Sequence, residues 1–457
     1  MKQEVRSKLK IIRDTLTSSF RDQADALIAS MLSKIISESD KVAIYAPINS
    51  EVNLLKHLST IKASMYLLPI VKNDILEFHA WDPSEPLMEG KFSPEPKPSS
   101  AVIPDVIVIP CLGFDKNNHR LGYGKGFYDR TLASDIYKKA LKIGVAYSKQ
   151  ELDEALNEAH DVKLDLFITE QPGKRQIREI IQSAKSELEH LGIPTARLDA
   201  ELLLAHSLEV DRNKLFMKSE EEVCDLEFKA LLHRRKQFEP IAYILGYKEF
   251  WGLNFKVTKD TLIPRPDSEL IIELVKSYFP NLSTPYKILD LGTGTGCLGI
   301  SLAHEYKNSS ATLVDISSKA LDVAKWNAKN LGVEERILSL QSSWFENIIQ
   351  QKFDIIICNP PYIARDAILM PDVLEYEPHQ ALFADDAGYS EYVHIAANLH
   401  NYMAPNSLAF LEFGKGQGVG ISRIFENRGY NVIAVKSDLA GLDRVVILNF
   451  KIDSGNN

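Results

Sequence analysis

An apolar run that stops against two consecutive prolines is the tightest constraint on how this chain can fold. The run is Phe353-Asp354-Ile355-Ile356-Ile357-Cys358, and Asn359-Pro360-Pro361-Tyr362 follows it. Such a run reads as a strand buried on both faces of a parallel sheet. Proline fixes φ and has no N–H, so the strand must end there and the chain must turn. In an open α/β sheet, ligands bind beyond the carboxyl ends of the strands. The turn leaves the Asn359 side chain and the carbonyls of Asn359 and Pro360 free at such an end. Two acceptors can hold both hydrogens of a planar NH₂ group while an aromatic ring, here Tyr362, stacks on its plane. On their own, the same four residues equally describe a Pro-Pro turn that opens an ordinary loop.

The strand–turn–helix upstream narrows the choice. Residues 287–291 read as a strand, and Gly292, Thr293, Gly294, Thr295 and Gly296 read as the turn into a helix near Cys297. Glycines there permit a tight turn and close approach of a ligand to the backbone. That pattern alone is compatible with NAD, FAD or S-adenosylmethionine. Asp315 ends the next strand, where an acidic side chain grips a ribose diol, and Ser317 caps the helix after it. An NAD domain has no reason to carry Asn-Pro-Pro-Tyr after its fourth strand. Together the features point to a methyltransferase acting on an amide or an exocyclic amine.

At 457 residues the chain exceeds one ordinary core, and roughly three domains is the expectation. Its 45% apolar and 25% charged residues are those of a globular protein. A net charge of −9 argues against a general nucleic-acid or membrane-surface binder. The scattered cysteines, Cys111, Cys224, Cys297 and Cys358, read as reduced thiols in a cytoplasmic protein. The first ten residues hold charges and no apolar core, so no secretory signal is expected, and no apolar run is long enough to span a membrane. The histidines form no zinc-like pair.

In the first part of the chain, helical spacing over the opening thirty-odd residues gives way to strands expected at 42–47, 64–69, 75–80, 106–110, 142–146 and 166–169. The Pro-rich stretch 83–104 reads as a surface loop. This alternation indicates an α/β domain. Its informative stretch is Arg120-Leu121-Gly122-Tyr123-Gly124-Lys125-Gly126-Phe127-Tyr128-Asp129-Arg130. Alternating glycines let backbone N–H groups nest around an anion. Lys125 adds a point charge for a phosphate, and Asp129 can hold a Mg²⁺ that bridges phosphate oxygens. The sequence is neither a Walker A motif nor a dinucleotide fingerprint.

Residues 171–174, Gln-Pro-Gly-Lys, break the pattern. From 177 to about 243 the spacing is helical without strands, and acidic and basic residues balance, which does not suit a DNA-binding platform. Residues 239–269 are too polar and Pro-interrupted for a helix and read as a hairpin followed by a loop. Within them Arg265, set between two prolines, is poised for a fixed contact.

The first part resembles the 5-formyltetrahydrofolate cyclo-ligase family through Lys2-x-x-x-Arg6, Glu51, the motif from Gly113 to Arg130, and HDVKLDLFITE from His160 to Glu170. The resemblance implies ATP- and Mg²⁺-dependent conversion of 5-formyltetrahydrofolate to 5,10-methenyltetrahydrofolate. It implies that Lys2, Arg6 and the loop from Gly122 to Arg130 hold ATP, with Lys125 as its catalytic cation. Asp129, with Asp165, would hold the metal, and Glu51 would face the folate. Tyr123, Phe127 and Tyr128 are aromatic candidates against the pterin. Asn117-Asn118-His119 fills a turn where the family often has glycine, and asparagine tolerates the left-handed conformation.

From about residue 177 the chain resembles the release-factor glutamine methyltransferase family. The match rests on EPIAYILGYKEFWGL, LIPRPDSE, DLGTGTGCLGISLA, Trp344, NPPY, EPHQAL with Asp385-Asp386, and GLDR from Gly441. It implies N5-methylation of the glutamine in the Gly-Gly-Gln motif of peptide-chain release factors. S-adenosyl-L-methionine would lie against Gly292, Thr293, Gly294, Thr295, Gly296, Asp315, Trp344 and Asn359. The glutamine amide would lie against Asn359, Pro360, Pro361 and Tyr362, with Asn359 and Pro360 catalytic. Glu377 and His379 read as structural.

The expected fold class is α/β, with a small helical bundle between two α/β domains. A cyclo-ligase domain spans 1–172, a small helical recognition bundle 175–245, a hairpin linker 246–269, and a Rossmann-like methyltransferase domain 270–452. The rival for the last domain is an adenine N6-methyltransferase, which would carry a basic target-recognition region. A further rival is that one half is a non-catalytic module. Release factors and 5-formyltetrahydrofolate are the expected partners, with no nucleic acid, no membrane and a cytoplasmic location.

Overall fold

The computed structural model describes residues 2–153, 158, 161–349 and 351–450. His160, and the expected domain end at 451–452, lie outside them. The chain divides into two compact units, Met1–Gln237 and Phe238–Asn457.

In the first unit, α1 (Lys2–Asp14) and α2 (Ser18–Ile35) precede β1 (Lys41–Ala43). Thr17 caps α2, its hydroxyl accepting from the Phe20 N–H at 3.2 Å. Next come β2 (Met65–Lys72), β3 (Ile75–Trp81), β4 (Val106–Pro110), a short hairpin of β5 (Gly113–Phe114) and β6 (Arg120–Leu121), α3 (Phe127–Leu132), β7 (Leu141–Val145) and β8 (Leu166–Ile168). The main sheet has the order β3-β2-β1-β4-β7-β8 and is parallel except for β3. β4 and β7 are apolar at nearly every position because both faces are covered. Ala24, Ile28 and Leu32 of α2 cover one face, and Leu132 of α3 belongs to the cluster on the other.

Further along, β9 (Lys174–Gln176) pairs antiparallel with β10 (Glu222–Cys224). Between them lie α4 (Ile177–His190), α5 (Ala196–Ser207) and α6 (Arg212–Met217), and α7 (Leu226–Lys236) follows. The stretch expected to lack strands therefore contains one, a three-residue strand too short to register a period of two. Leu226 and Ala230 of α7 join the core cluster built on α2 and the sheet.

The second unit opens with α8 (Ile241–Leu245) and a hairpin of β11 (Tyr247–Phe250) and β12 (Leu253–Lys256). The hairpin was expected and the helical turn was not. Pro240 is tolerated ahead of the turn, Ala242 and Ile244 are buried by it, and Gly246 ends it. α9 (Glu269–Tyr278), β13 (Lys287–Leu291), α10 (Cys297–Glu305), β14 (Ser310–Asp315), α11 (Ser318–Asn330) and β15 (Ile337–Gln341) alternate as a parallel sheet requires, and β16 (Phe353–Cys358) is the next strand. After β16 come β17 (Ile363–Ala364), α12 (Pro371–Tyr376), α13 (His379–Leu382), β18 (Phe383–Ala384), the kinked turn α14 (Asp385–Gly388) and α15 (Ser390–Asn398). β19 (Met403–Glu412), α16 (Gly418–Glu426), β20 (Tyr430–Ser437) and β21 (Asp443–Phe450) complete the unit.

Its main sheet runs β15-β14-β13-β16-β19-β21-β20, with β21 antiparallel to both neighbours. The strand order reverses between β13 and β16, where Leu291 pairs with Cys358. The turn after β13 and Asn359 after β16 therefore open on the same crevice, the switch point where such sheets bind ligands. Both units are α/β, as expected. No helix of the described residues is long and apolar enough to cross a membrane.

Candidate active sites

In the second unit, a cavity of about 690 Å³ lies at this switch point, lined by Gly292, Gly294, Asp315, Trp344, Asn359 and Pro361 among others. Asp315 is fixed by the backbone: the Gly294 N–H donates to its Oδ2 and the Ser317 N–H to its Oδ1, each at 2.9 Å. Burial pushes its carboxyl up, and those N–H groups work against the shift. Ser317 caps α11, accepting from the Ala320 N–H. Trp344 adopts a left-handed backbone with φ 47, and its Nε1 donates to Glu391 at 2.9 Å. Thr293, Thr295 and Gly296 support the turn from behind. Thr293 donates to Asp290 at 2.6 Å, the Thr295 carbonyl accepts from Asn327, and Gly296 leads into α10.

Asn359 donates from Nδ2 to the Ser268 hydroxyl at 3.1 Å, and its Oδ1 has no partner among the described residues. Pro360 is buried and does not line the cavity. Tyr362 does not line it either, because its phenol turns to Glu412. The expected stacking ring is therefore directed elsewhere. Arg265 makes its fixed contact with Glu377, 2.6 Å away, while the Ile263 N–H donates to the other carboxylate oxygen at 3.0 Å. Glu377 thus tethers the loop whose residues Lys259, Asp260, Thr261 and Leu262 form one wall. His379 also lines the cavity and is bonded to the Leu374 carbonyl at 2.8 Å. Sequence reasoning quoted Ser268 within LIPRPDSE without giving it a role, and missed Glu391 and Glu412. An acid ending an apolar strand was the one available signal, and Glu412 carries it.

In the first unit, a cavity of about 740 Å³ lies beyond the carboxyl ends of β1 and β4, where the strand order also reverses. Lys2, Arg6, Glu51 and every residue from Gly122 to Asp129 line it. Arg6 donates to the Gly122 carbonyl at 2.9 Å, tying α1 to the loop. Lys2 lies 2.9 Å from Glu158 and 3.2 Å from Asp161. The Lys125 ammonium sits 3.6 Å from the centre of the Phe92 ring, a cation–π contact. Phe92 belongs to the stretch expected to be a surface loop, which instead forms part of the cavity wall. Asn118 has φ 64, the left-handed turn expected of it.

Glu51 accepts from the Ile48 N–H at 2.9 Å, and burial pushes its carboxyl up. Arg13, 2% exposed, stands behind it: Nη1 is 3.9 Å from Glu51 and Nη2 donates to the Tyr123 hydroxyl at 2.6 Å. Arg13 was also missed, because on α1 it reads as one more surface cation.

Two expected residues are not brought to this cavity. Arg130 is exposed and donates to the carbonyls of Asp74 and Lys125. Asp165 accepts from the Lys142 N–H at 2.7 Å and lies 3.4 Å from His233. Its carboxylate is used in joining β8 to the start of β7 and to α7, so the pairing of Asp165 with Asp129 does not hold. Asp129 itself is bonded by Arg120 and, at 3.2 Å, by the Val162 N–H.

Residues 1–170 match the model of the 5-formyltetrahydrofolate cyclo-ligase family, 179–246 that of the PrmC N-terminal domain, and 268–374 that of the methyltransferase small domain. The chain is 39% identical over 292 residues to a bifunctional methyltransferase of Rickettsia typhi, covering 59% of this chain and 56% of that one. It thus spans little more than half the length of that relative. It is also 39% identical over 284 residues to the release factor glutamine methyltransferase of Aliivibrio fischeri, covering 61% of this chain and 97% of that one. A 5,10-methenyltetrahydrofolate synthetase structure from Mycoplasma pneumoniae is similar at 28% identity and a TM-score of 0.30, covering 37% of this chain and 99% of that one. The chain belongs to the release factor glutamine methyltransferase family, preceded by a region of the 5-formyltetrahydrofolate cyclo-ligase family.

Proposed function

We propose that the chain is a bifunctional enzyme. One activity is ATP-dependent conversion of 5-formyltetrahydrofolate to 5,10-methenyltetrahydrofolate; the other is S-adenosyl-L-methionine-dependent N5-methylation of the glutamine in the Gly-Gly-Gln motif of release factors. The proposed functional divisions are 1–172 for the folate reaction, 175–245 for recognition, 246–269 as linker and 270–452 for methyl transfer, all in the cytoplasm. The observation that carries the second activity is that Asn359, Gly294 and Asp315 meet on one cavity.

The donor set there fits S-adenosyl-L-methionine, which supplies a methyl group on a positively charged sulfur when bound. Asp315, held by two N–H groups, is a fixed acceptor for a ribose diol. Amide nitrogen is a weak nucleophile because its lone pair is delocalised. Asn359 Oδ1, with the NH₂ end pinned on Ser268, can accept a substrate amide N–H and stabilise the positive charge that grows on that nitrogen. Alignment of amide and methyl does the rest: as the C–N bond forms and the C–S bond breaks, one amide N–H proton is lost to solvent, with no dedicated base.

In the first unit, Arg6, Lys125 and the loop N–H groups suit a triphosphate, where charge neutralisation and positioning dominate phosphoryl transfer. Among the described residues no three His, Cys, Asp or Glu side chains cluster to hold a metal. The site fits Mg²⁺ only as an ion carried by phosphate oxygens and water, with Asp129 as its protein carboxylate. Glu51, set by Arg13 and Tyr123, faces the folate.

The test is the full chain and its Asn359→Ala and Lys125→Ala variants, each assayed for methenyl-folate formation and for methyl transfer to a release factor and to adenine-containing DNA. Each substitution is expected to abolish its own reaction alone, with only the release factor labelled. Labelled DNA would refute the protein target, and a silent wild-type half would refute that half's activity.

A further inference from the structure

Glu391 lines the second unit's cavity, and the methyl-transfer steps above do not use it. It stands in the first turn of α15, and its carboxylate receives two donors: the Trp344 indole Nε1 on Oε2 at 2.9 Å and the Ser390 hydroxyl on Oε1 at 3.1 Å. The other end of the indole reaches the glycine turn. There Trp344 Cζ3 lies 3.8 Å, and Cη2 4.0 Å, from the place a Gly292 β-carbon would take. The ring therefore spans the cavity wall from α15 to the turn after β13.

The backbone alone does not set the plane of that ring. Trp344 has φ 47, a left-handed conformation that a bulky side chain rarely adopts and that persists only where its surroundings over-determine it. Its neighbours supply that constraint. The Ser342 N–H donates to the Asp315 carbonyl at 3.0 Å, and the Phe345 ring stacks on Tyr402 with centroids 4.7 Å apart. These contacts hold the chain on either side of Trp344 but leave its second side-chain torsion open, since that sp³–sp² torsion has broad wells. The charge-assisted bond from Nε1 to Glu391 closes it.

We propose that Glu391 is a positioning residue: through its bond to Nε1 it fixes the plane of the Trp344 ring against which S-adenosyl-L-methionine binds. The inference rests on the reading that this cavity takes S-adenosyl-L-methionine. A bond of the same kind, from Trp251 Nε1 to Glu305 at 2.9 Å, lines neither cavity and serves as the control.

The test titrates S-adenosyl-L-methionine, and S-adenosyl-L-homocysteine, whose sulfur carries no charge, into the full chain by calorimetry. Methyl transfer to a release factor gives kcat and KM beside it. Glu391→Ala should weaken both ligands about tenfold, as loss of one hydrogen bond to a charged group does, and raise KM for S-adenosyl-L-methionine while kcat stays within about twofold. Glu391→Gln keeps an oxygen for Nε1 and should bind both ligands nearly as the wild type does. In a Trp344→Phe background, which has no N–H to give, Glu391→Ala should cost nothing further. Glu305→Ala should leave both affinities unchanged. Unchanged affinity in Glu391→Ala, or a full further loss in the double variant, overturns the proposal. So does a Glu391→Gln that loses S-adenosyl-L-methionine but keeps S-adenosyl-L-homocysteine, since Glu391 would then act by its charge on the ligand. An equal loss in Glu305→Ala would reduce the effect to general stability and overturn it as well. Should Glu391→Ala fail to fold, Trp344→Phe decides it: wild-type affinity there overturns the proposal. A wild type that binds no S-adenosyl-L-methionine refutes the cofactor reading itself and takes the inference with it.

Discussion

Asp290, 1% exposed beneath the glycine turn, accepts from Thr293 at 2.6 Å and from the Gly299 N–H at 3.0 Å, both on Oδ2. Its Oδ1 has no hydrogen-bond partner among the described residues. Burial raises the carboxyl from 3.8 to about 6. The folded state therefore holds this proton more tightly than the unfolded state. The resulting stabilisation is complete below 3.8 and is lost as pH rises through about 6. Asp290→Asn cannot ionise, so its stability relative to wild type should rise over that interval in urea titrations. A relative fall would mean that the buried carboxylate stabilises the fold. Arg13 is the converse case, a buried cation. Arg13→Met should lower the first unit's stability by roughly 3 kcal/mol, since Glu51 and Tyr123 lose their partner in a buried site. Equal urea midpoints would exclude that. Asp129, Lys125, Asp315 and Asn359 were legible because a motif names them. Asp290 and Ser268 lie inside quoted motifs, DLGTGTGCLGISLA and LIPRPDSE, that gave them no role, and Arg13 lies in none, because a side chain that works by burial carries no spacing of its own.

The turn between β13 and α10 separates two jobs that one glycine pattern conceals. Gly292 has φ 70, and a β-carbon there would meet only Trp344, 3.8 Å away on the cavity side. Gly296 has φ 81, and its β-carbon would come within 2.6 Å of Ile300 and 3.2 Å of Ala324 in the packed core. Either alanine incurs left-handed strain of about 1–2 kcal/mol. Gly296→Ala adds overpacking of about 1–3 kcal/mol and should show mainly as a lower Tm. Gly292→Ala should show mainly as weaker S-adenosyl-L-methionine binding by calorimetry, with a smaller loss of Tm. A reversed order would place Gly292 away from the ligand. Apolar runs bounded by Gly and Pro named every strand of the first unit's main sheet but only β13, β14 and β16 of the second, whose β15, β19, β20 and β21 went unnamed. The runs did not order the strands, since β13 meets β16 through pairing across sixty-odd residues, which no local pattern records.

The core clusters built on β1–β4 and on β13–β16 each draw their members from one unit. The break in sequence pattern falls at 171–174, whereas the division between compact units falls at Gln237 and Phe238. The apolar face of α7 was visible as helical spacing, but what covers it was not: Leu226 and Ala230 complete a core that begins at Leu16. Each unit carries its own cavity at its own switch point, so ligand binding should stabilise each core separately. A ligand at a hundredfold excess over its Kd adds about 2.7 kcal/mol, roughly 5–10 °C for a unit of this size. In scanning calorimetry of the full chain, ATP is expected to raise one transition and S-adenosyl-L-methionine the other. Lys125→Ala should remove the first shift alone, and Gly292→Ala should diminish the second alone. One transition that moves with either ligand would mean that the units unfold together, and each site would then be thermodynamically linked to the other through the stability of the whole chain.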